Sequence, residues 1–276
     1  MYGHGVCNQL NVVANLSLDP GYCQFDSASH NIRQHGTVNE TLAKVLFMCG
    51  RFALRCSSHQ LIDQFLLTSS PDLSLKPRFN IAPTQTIMAL RCPDGSRGRE
   101  LAAFHWGLIP AWAKDPAIGN RMINARSETA AEKPSFRAAF KDRRCLILTD
   151  GYYEWQKRGS RKHPFFFHRD DNRPFAFAGL WERWQDPQTG DSKETATILT
   201  TTANEQIEPF HHRMPVILKP ENYDDWLNPQ QSDRSILAPL LKTQPPANLV
   251  IDPVSTLVNS PHNDDPRCLE PPRELF

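Results

Sequence analysis

Proline occurs 23 times in this 276-residue chain, above the usual share of ~5%. Each proline fixes φ and removes a backbone donor, so it interrupts helices and is confined in sheets to edges and bulges. A helix bundle is therefore disfavoured, and short strands joined by many loops are expected. Hydrophobic residues at 39% and charged residues at 22% suit a globular chain with a sizeable core. The formal net charge is only +1, so any contact with nucleic acid has to come from a local patch rather than bulk basicity.

The pattern along the chain fills in that outline. CGRFAL reads as a short strand, and Ser57 or Ser58 caps a helix running to Leu67. RFNIAP is a strand ended by Pro83. TIMALR and ELAAFHWGL are strands joined by a turn at Asp94-Gly95. KPSFRAAF is a helical turn with Pro134 in its first positions. RCLILT, a turn at Asp150-Gly151, GYYEWQKR, a basic hairpin tip and KHPFFFHR form three further strands. PFAFAGLWERW and TATILTTTA continue the sheet, PENYDDWL and SDRSILAPLLK read as helices, and the proline-rich tail from Pro245 is expected to be mostly irregular. The predicted fold is α+β: a single domain around a mainly antiparallel, barrel-like or sandwiched sheet with short flanking helices.

Seven cysteines, an odd number with no CxxC pair, argue against a zinc site or a disulfide framework and for a reducing compartment such as the cytoplasm. No apolar run reaches transmembrane length, and no membrane contact is expected. Residues 1–47 carry two basic side chains (Arg33, Lys44) and three acidic ones (Asp19, Asp26, Glu40), without strong periodicity or the regions of a signal peptide. They read as a disordered leader or as an extension upstream of the true start, the start at Met48 being favoured over proteolytic removal. Residues 48–266 are then the domain and 267–276 a tail.

Met48-Cys49 gives the question of the start a chemical meaning. Were Met48 the initiator, its removal would leave Cys49 with a free α-amine beside its thiol, and such a 1,2-aminothiol condenses with an aldehyde to a thiazolidine ring. A terminal amine has a pKa of about 7.7–8.0 against about 10.4 for lysine, so near neutral pH much more of it is free to form an imine. The competing reading of Cys49 is a small buried hydrophobe.

Other residues carry chemistry by their setting. Asn124 and Arg126, one residue apart in MINARSET, point to one face of an extended segment, where amide and guanidinium groups suit a phosphorylated ligand; a loop asparagine and a solvated arginine are the alternative. Glu154, among Tyr152, Tyr153 and Trp155, is a candidate general acid/base if it is desolvated, although strand alternation fits an outward-facing residue equally well. His211 and His212 are adjacent and point apart, a poor metal chelate, so one of them is the better proton-transfer candidate, with Arg213 as a phosphate ligand. Trp106 and Trp112 are either core residues or stacking platforms for unpaired bases. Arg158, Arg161 and Lys162 at the hairpin tip are phosphate contacts or simply solvated.

Together MCGRF at 48–52, RFNIAPTQ at 78–85, WGLIPAWA at 106–113, INARSET at 123–129, DGYYEW at 150–155, HHRMPVIL at 211–218 and DPVSTLVNSPHNDDP at 252–266 resemble the SRAP family. The family is named for SOS-response-associated peptidases, and its members process abasic sites. The resemblance implies a terminal Cys49 that forms a thiazolidine with the ring-opened abasic sugar in single-stranded DNA, shielding the lesion during the damage response. It implies Asn124 as the group that positions cysteine and sugar, Glu154 as proton carrier near the amine, and His211 as the group that assists ring opening. Arg51, Trp106, Trp112, Arg126 and Arg213 are the expected DNA contacts. The peptidase name implies autoproteolysis that exposes the cysteine when residues precede it. No cofactor or metal is called for, and a monomer is expected. Two other readings stand beside this one: a cysteine peptidase using Cys49, His211 and Asn124 on protein substrates, and a non-catalytic single-stranded-DNA binding module.

Overall fold

The computed structural model describes residues 50–67, 75–93, 98–242 and 245–273, all within one compact unit spanning 46–276. Cys49, the leader and the Asp94-Gly95 turn lie outside the described residues. The described residues form thirteen strands: β1 (Phe52–Leu54), β2 (Arg78–Ile81), β3 (Thr86–Arg91), β4 (Glu100–Trp106), β5 (Asn124–Arg126), β6 (Arg144–Thr149), β7 (Gly151–Arg158), β8 (Arg161–Arg169), β9 (Phe175–Gln185), β10 (Ser192–Thr202), β11 (Arg213–Pro215), β12 (Ile217–Leu218) and β13 (Leu249–Pro253). The helices are α1 (Ser58–Phe65), α2 (Ser127–Ala130), α3 (Arg137–Asp142), α4 (Tyr223–Leu227) and α5 (Arg234–Leu240).

Five strands close on themselves. β4 pairs β3, β3 pairs β6, β6 pairs β9 and β9 pairs β10, all antiparallel, and β10 returns to β4 in parallel through Thr195↔His105 and Ala196↔Trp106. Closure removes the open edges that a sheet would otherwise present. β5 and β11 add to the C-terminal half of β10, and β12 adds to β9. A second, five-stranded sheet runs in the order β13-β8-β7-β1-β2. An aromatic cluster joins the two: Phe52 of β1 meets Trp106 at 5.1 Å and Phe177 at 6.1 Å between centroids, and Tyr152 meets Phe177 at 5.8 Å. Edge-to-face pairs of this kind contribute about 0.5–1.5 kcal/mol each beyond their area burial. The outer face of the second sheet, with Ala53, Tyr153 and Phe166, is covered by Val254, Val258 and Cys268.

α1 begins as expected, with Ser57 and Gln60 forming a capping box that satisfies two otherwise unpaired donors. Three local features refine the expected outline. The chain bends at Asp150, between β6 and β7, and there passes from the barrel into the second sheet. Buried Asp150 pins that step by accepting from Arg55 N (2.5 Å), Cys56 N (3.1 Å) and Arg55 Nε (2.9 Å). Pro134 opens a helical turn as expected: Lys133 O accepts from Phe136 N and from Arg137 N, both at 2.9 Å, and the turn leads into α3 at Arg137. The tail contains β13, whose pairing with β8 from Leu249↔Arg169 to Pro253↔Phe165 is too distant in sequence to leave a local signal.

Gly151 is needed at the step between sheets because a Cβ there would lie 2.1 Å from Phe166 Cζ. Gly151→Ala is expected to cost about 1–3 kcal/mol, the usual range for overpacking, read as a lower urea midpoint with an unchanged denaturant slope.

Candidate active site

β7 and β1 bring the first described residues to the centre of the second sheet. Phe52 pairs Tyr152 and Ala53 pairs Gly151, and Tyr153 N donates to Arg51 O at 3.0 Å, which carries the pairing one residue toward Glu154. Glu154 is buried, 4% exposed, so the inward alternative of the strand reading is the one realised. Its register partner on β8 is Phe165, and Phe165 packs edge-on against Phe210 at 4.9 Å. Phe210 immediately precedes His211. Phe167 of β8 also meets Phe210, at 5.1 Å, so the strand paired with β7 is joined to the His211 loop through aromatic contacts.

His211 is held in a defined state. Its Nδ1 accepts from Arg213 N at 3.1 Å, so the proton of the neutral ring sits on Nε2. Nε2 is buried with no hydrogen-bond partner among the described residues. The ring lies on His212 at 4.3 Å between centroids. Burial first, then the neighbouring His212, lowers the His211 pKa to about 4, because both disfavour the cation. A pKa below the ordinary 6.5 means that the folded chain binds fewer protons than the unfolded one between those values. Stability is accordingly lost as pH falls from 6.5 toward 4. The ring resonances of His211 are expected to titrate near pH 4 by NMR; a midpoint at the ordinary histidine value would contradict this environment.

β10 seats the remaining groups. β5 runs parallel to it, with Asn124 opposite Ile198 and Arg126 opposite Thr200, while β11 places Arg213 opposite Thr202 on its other side. Asn124 is half-buried, Ala125 buried and Arg126 exposed, as one extended face predicts. Arg126 makes no ion pair among the described residues.

Three of the expected DNA contacts are placed elsewhere. Trp106 is fully buried and donates Nε1 to Ile123 O at 2.9 Å; it cannot stack on a base, and it instead fixes the residue before Asn124. Arg213 is buried and holds Glu128 with two bonds of 2.5 and 2.8 Å and Thr200 O with another of 2.5 Å. It ties β11 to the start of α2 rather than reaching outward. Arg51 is half-buried and donates to Asn80 Oδ1 (2.8 Å) and to Val258 O (2.7 Å), which clamps β1 to β2 and the C-terminal segment. Trp112, by contrast, is 60% exposed.

Residues missed in the sequence support this frame. Asn80 is fully buried, and its amide donates to Val258 O, Ser260 O and Asn263 O. Asp264 accepts from Phe79 N (2.6 Å) and Asn80 N (2.8 Å) and pairs with Arg78. The polar centre of RFNIAP, flanked by apolar residues, was the available signal. Among the described residues no group of three or more His, Cys, Asp or Glu side chains could hold a metal, and Cys56, Cys145 and Cys268 are free thiols.

Residues 48–261 match the family model for the SOS response associated peptidase. The chain belongs to the SRAP family. Its SRAP relatives include the "abasic site processing protein" YoqW of Bacillus subtilis (strain 168), 44% identical over 225 residues that cover 81% of this chain and 99% of that protein. The similarly named YedK of Escherichia coli (strain K12) is 30% identical over 81% of this chain and all of its own length. HMCES of Gallus gallus is 36% identical over 64% of this chain and 59% of its own. A protein from Bacteroides thetaiotaomicron with a crystal structure superposes with a TM-score of 0.71 at 28% identity over 81% of this chain and 99% of its own. The SRAP match contains Cys49, Asn124, Glu154 and His211.

Proposed function

We propose that this chain, when it begins at Cys49, processes abasic sites in single-stranded DNA by linking itself covalently to them. The observation that carries the reading is the pairing of Arg51 with Tyr153, one residue from buried Glu154. It ties the start of the strand next to the strongest general acid/base candidate. The names of the SRAP relatives supply the substrate class.

The chemistry balances without a cofactor. The closed abasic sugar opens to its aldehyde with His211 Nε2–H as hydrogen-bond donor to the sugar oxygen. The Cys49 α-amine adds to the aldehyde, and Glu154 carries protons as one water leaves and an imine forms. The Cys49 thiol then adds across the C=N bond, its proton passing to nitrogen, and the thiazolidine closes. Asn124 orients cysteine and sugar by its amide. Arg126 contacts the backbone, and exposed Trp112 stacks on a neighbouring base. Because the ring resists hydrolysis better than an imine, the lesion is shielded from strand cleavage. A chain that keeps residues ahead of Cys49 has an acylated nitrogen and cannot react; autoproteolysis or a start at Met48 frees it.

The peptidase reading, with His211 as base toward the Cys49 thiol, is disfavoured by the tautomer. The lone pair of His211 is on Nδ1, facing Arg213 N, and the substrate-side nitrogen offers a proton instead. Incubation of protein starting at Cys49 with an abasic oligonucleotide is expected to give an adduct stable on a denaturing gel, absent for Cys49→Ala. Lack of any adduct with the parent protein would overturn the proposal, and DNA-independent turnover of peptides would favour the peptidase.

A further inference from the structure

A cavity of about 980 Å³ opens between the start of β8 and the C-terminal segment, away from Asn124 and Arg126. Its wall carries Arg161, Lys162, Arg267 and Arg273 against one carboxylate, Glu270. Such an excess is unusual in this chain, where the net charge is +1 and most arginines are engaged internally, as Arg51, Arg78, Arg144 and Arg213 are. Arg267 is neutralised by Asp265, which it grips at 2.7 and 2.9 Å. Arg161, Lys162 and Arg273 form no ion pair among the described residues. Three unpaired cations from two separate segments thus converge on one concavity, whose floor includes Leu257 and Pro271.

The cavity is also connected to the site already described. β8 carries Lys162 and, three residues on, Phe165, the register partner of Glu154. Lys162 is near enough to His211 for its charge to help hold that ring neutral.

We propose that this cavity is a second phosphate-binding subsite, in which backbone phosphodiesters of the single strand are held after it has passed the β7–β8 hairpin. The inference rests on the reading that single-stranded DNA is the ligand, and adds where a strand longer than the lesion's immediate neighbours is anchored. A phosphodiester chain fits better than a free anion because the cations come from two separate segments and share the lining with the apolar Leu257 and Pro271. Such a groove tracks a backbone without reading sequence.

The test is the salt dependence of binding of unmodified oligonucleotides to the full chain. It needs no free amine on Cys49, so a failure of crosslinking would leave it intact. Each phosphate contact on a single strand contributes ~0.7 to the slope of log affinity against log salt, so the double variant Arg161→Glu/Lys162→Glu should flatten that slope by about 1.4. Arg273→Glu in the C-terminal segment should flatten it by ~0.7. Both losses are expected with a strand of roughly 20 nucleotides and not with one of roughly 5, near the small end of single-strand site sizes. Native far-UV circular dichroism and an unchanged urea midpoint confirm folding of each variant. An unchanged slope on the long strand would overturn the proposal, as would an equal loss on both strands. So would a poly-glutamate peptide that competes as well as the long strand, which would make the cavity an acidic-peptide site.

Discussion

Arg144→Met is expected to destabilise the domain by about 3–5 kcal/mol, the range for stripping a buried charged donor from its partners. Arg144 is 2% exposed and forms no salt bridge among the described residues, although the charge of Asp142 favours its cation. Its guanidinium instead donates to carbonyl oxygens of Phe140 (2.7 Å), Lys141 (2.7 Å), Trp226 (2.7 Å), Gln231 (2.9 Å) and Asn228. These carbonyls belong to α3, α4 and the segment after α4, so one side chain at the start of β6 ties two helices to the barrel. Burial lowers its pKa to about 10, still far above neutrality, so the cation persists. Methionine fills similar volume and leaves all five oxygens without that donor. Arg144→Lys, with three donors on one atom, should recover part of the loss. Urea unfolding checks the series; a Met variant as stable as the parent would show that solvent or backbone adjustment replaces the guanidinium.

Glu154→Gln is expected to slow adduct formation by about 10²–10⁴, the usual contribution of a positioned proton carrier, in protein that begins at Cys49. The amide keeps the size and the hydrogen-bonding geometry but cannot shuttle the proton that imine formation moves. Glu154 is buried on β7 opposite Phe165, so water is poorly placed to substitute. Single-turnover gel assays give the rate. Binding of the same oligonucleotide should be retained, which separates a chemical defect from a folding one. A Gln variant as fast as the parent would remove Glu154 from the reaction.

Much of the local structure was legible in the sequence because its signals are local. The helix cap at Ser57, the alternation through GYYEWQKR and the long apolar runs of β9 and β10 each depend on neighbours a few residues away. The closure of the barrel was not legible, since the parallel contact between β4 and β10 joins residues 90 positions apart by register, Thr195 with His105. The same limit separates the two tryptophans of WGLIPAW. Trp106 falls under β1 and is fully buried, whereas Trp112 lies 60% exposed, and nothing in the five residues between them decides which. Arg126 and Arg213 differ in the same way. Both flank β10, but only Arg213 forms a salt bridge with Glu128, which follows Arg126 by two residues in α2. The inward side of Glu154, left open by strand alternation, is set by the pairing of β7 with β8 and by the Phe165–Phe210 contact.

The most direct test of the central claim is the intact mass of the protein–DNA adduct, followed by peptide mapping. An abasic oligonucleotide is incubated with protein expressed from its native gene. The account predicts a product whose mass is that of the chain beginning at Cys49 plus the oligonucleotide minus one water, with the modification on Cys49 and its α-nitrogen no longer reactive. An adduct mapped to a lysine, or one formed by a chain that retains residues ahead of Cys49, would contradict it.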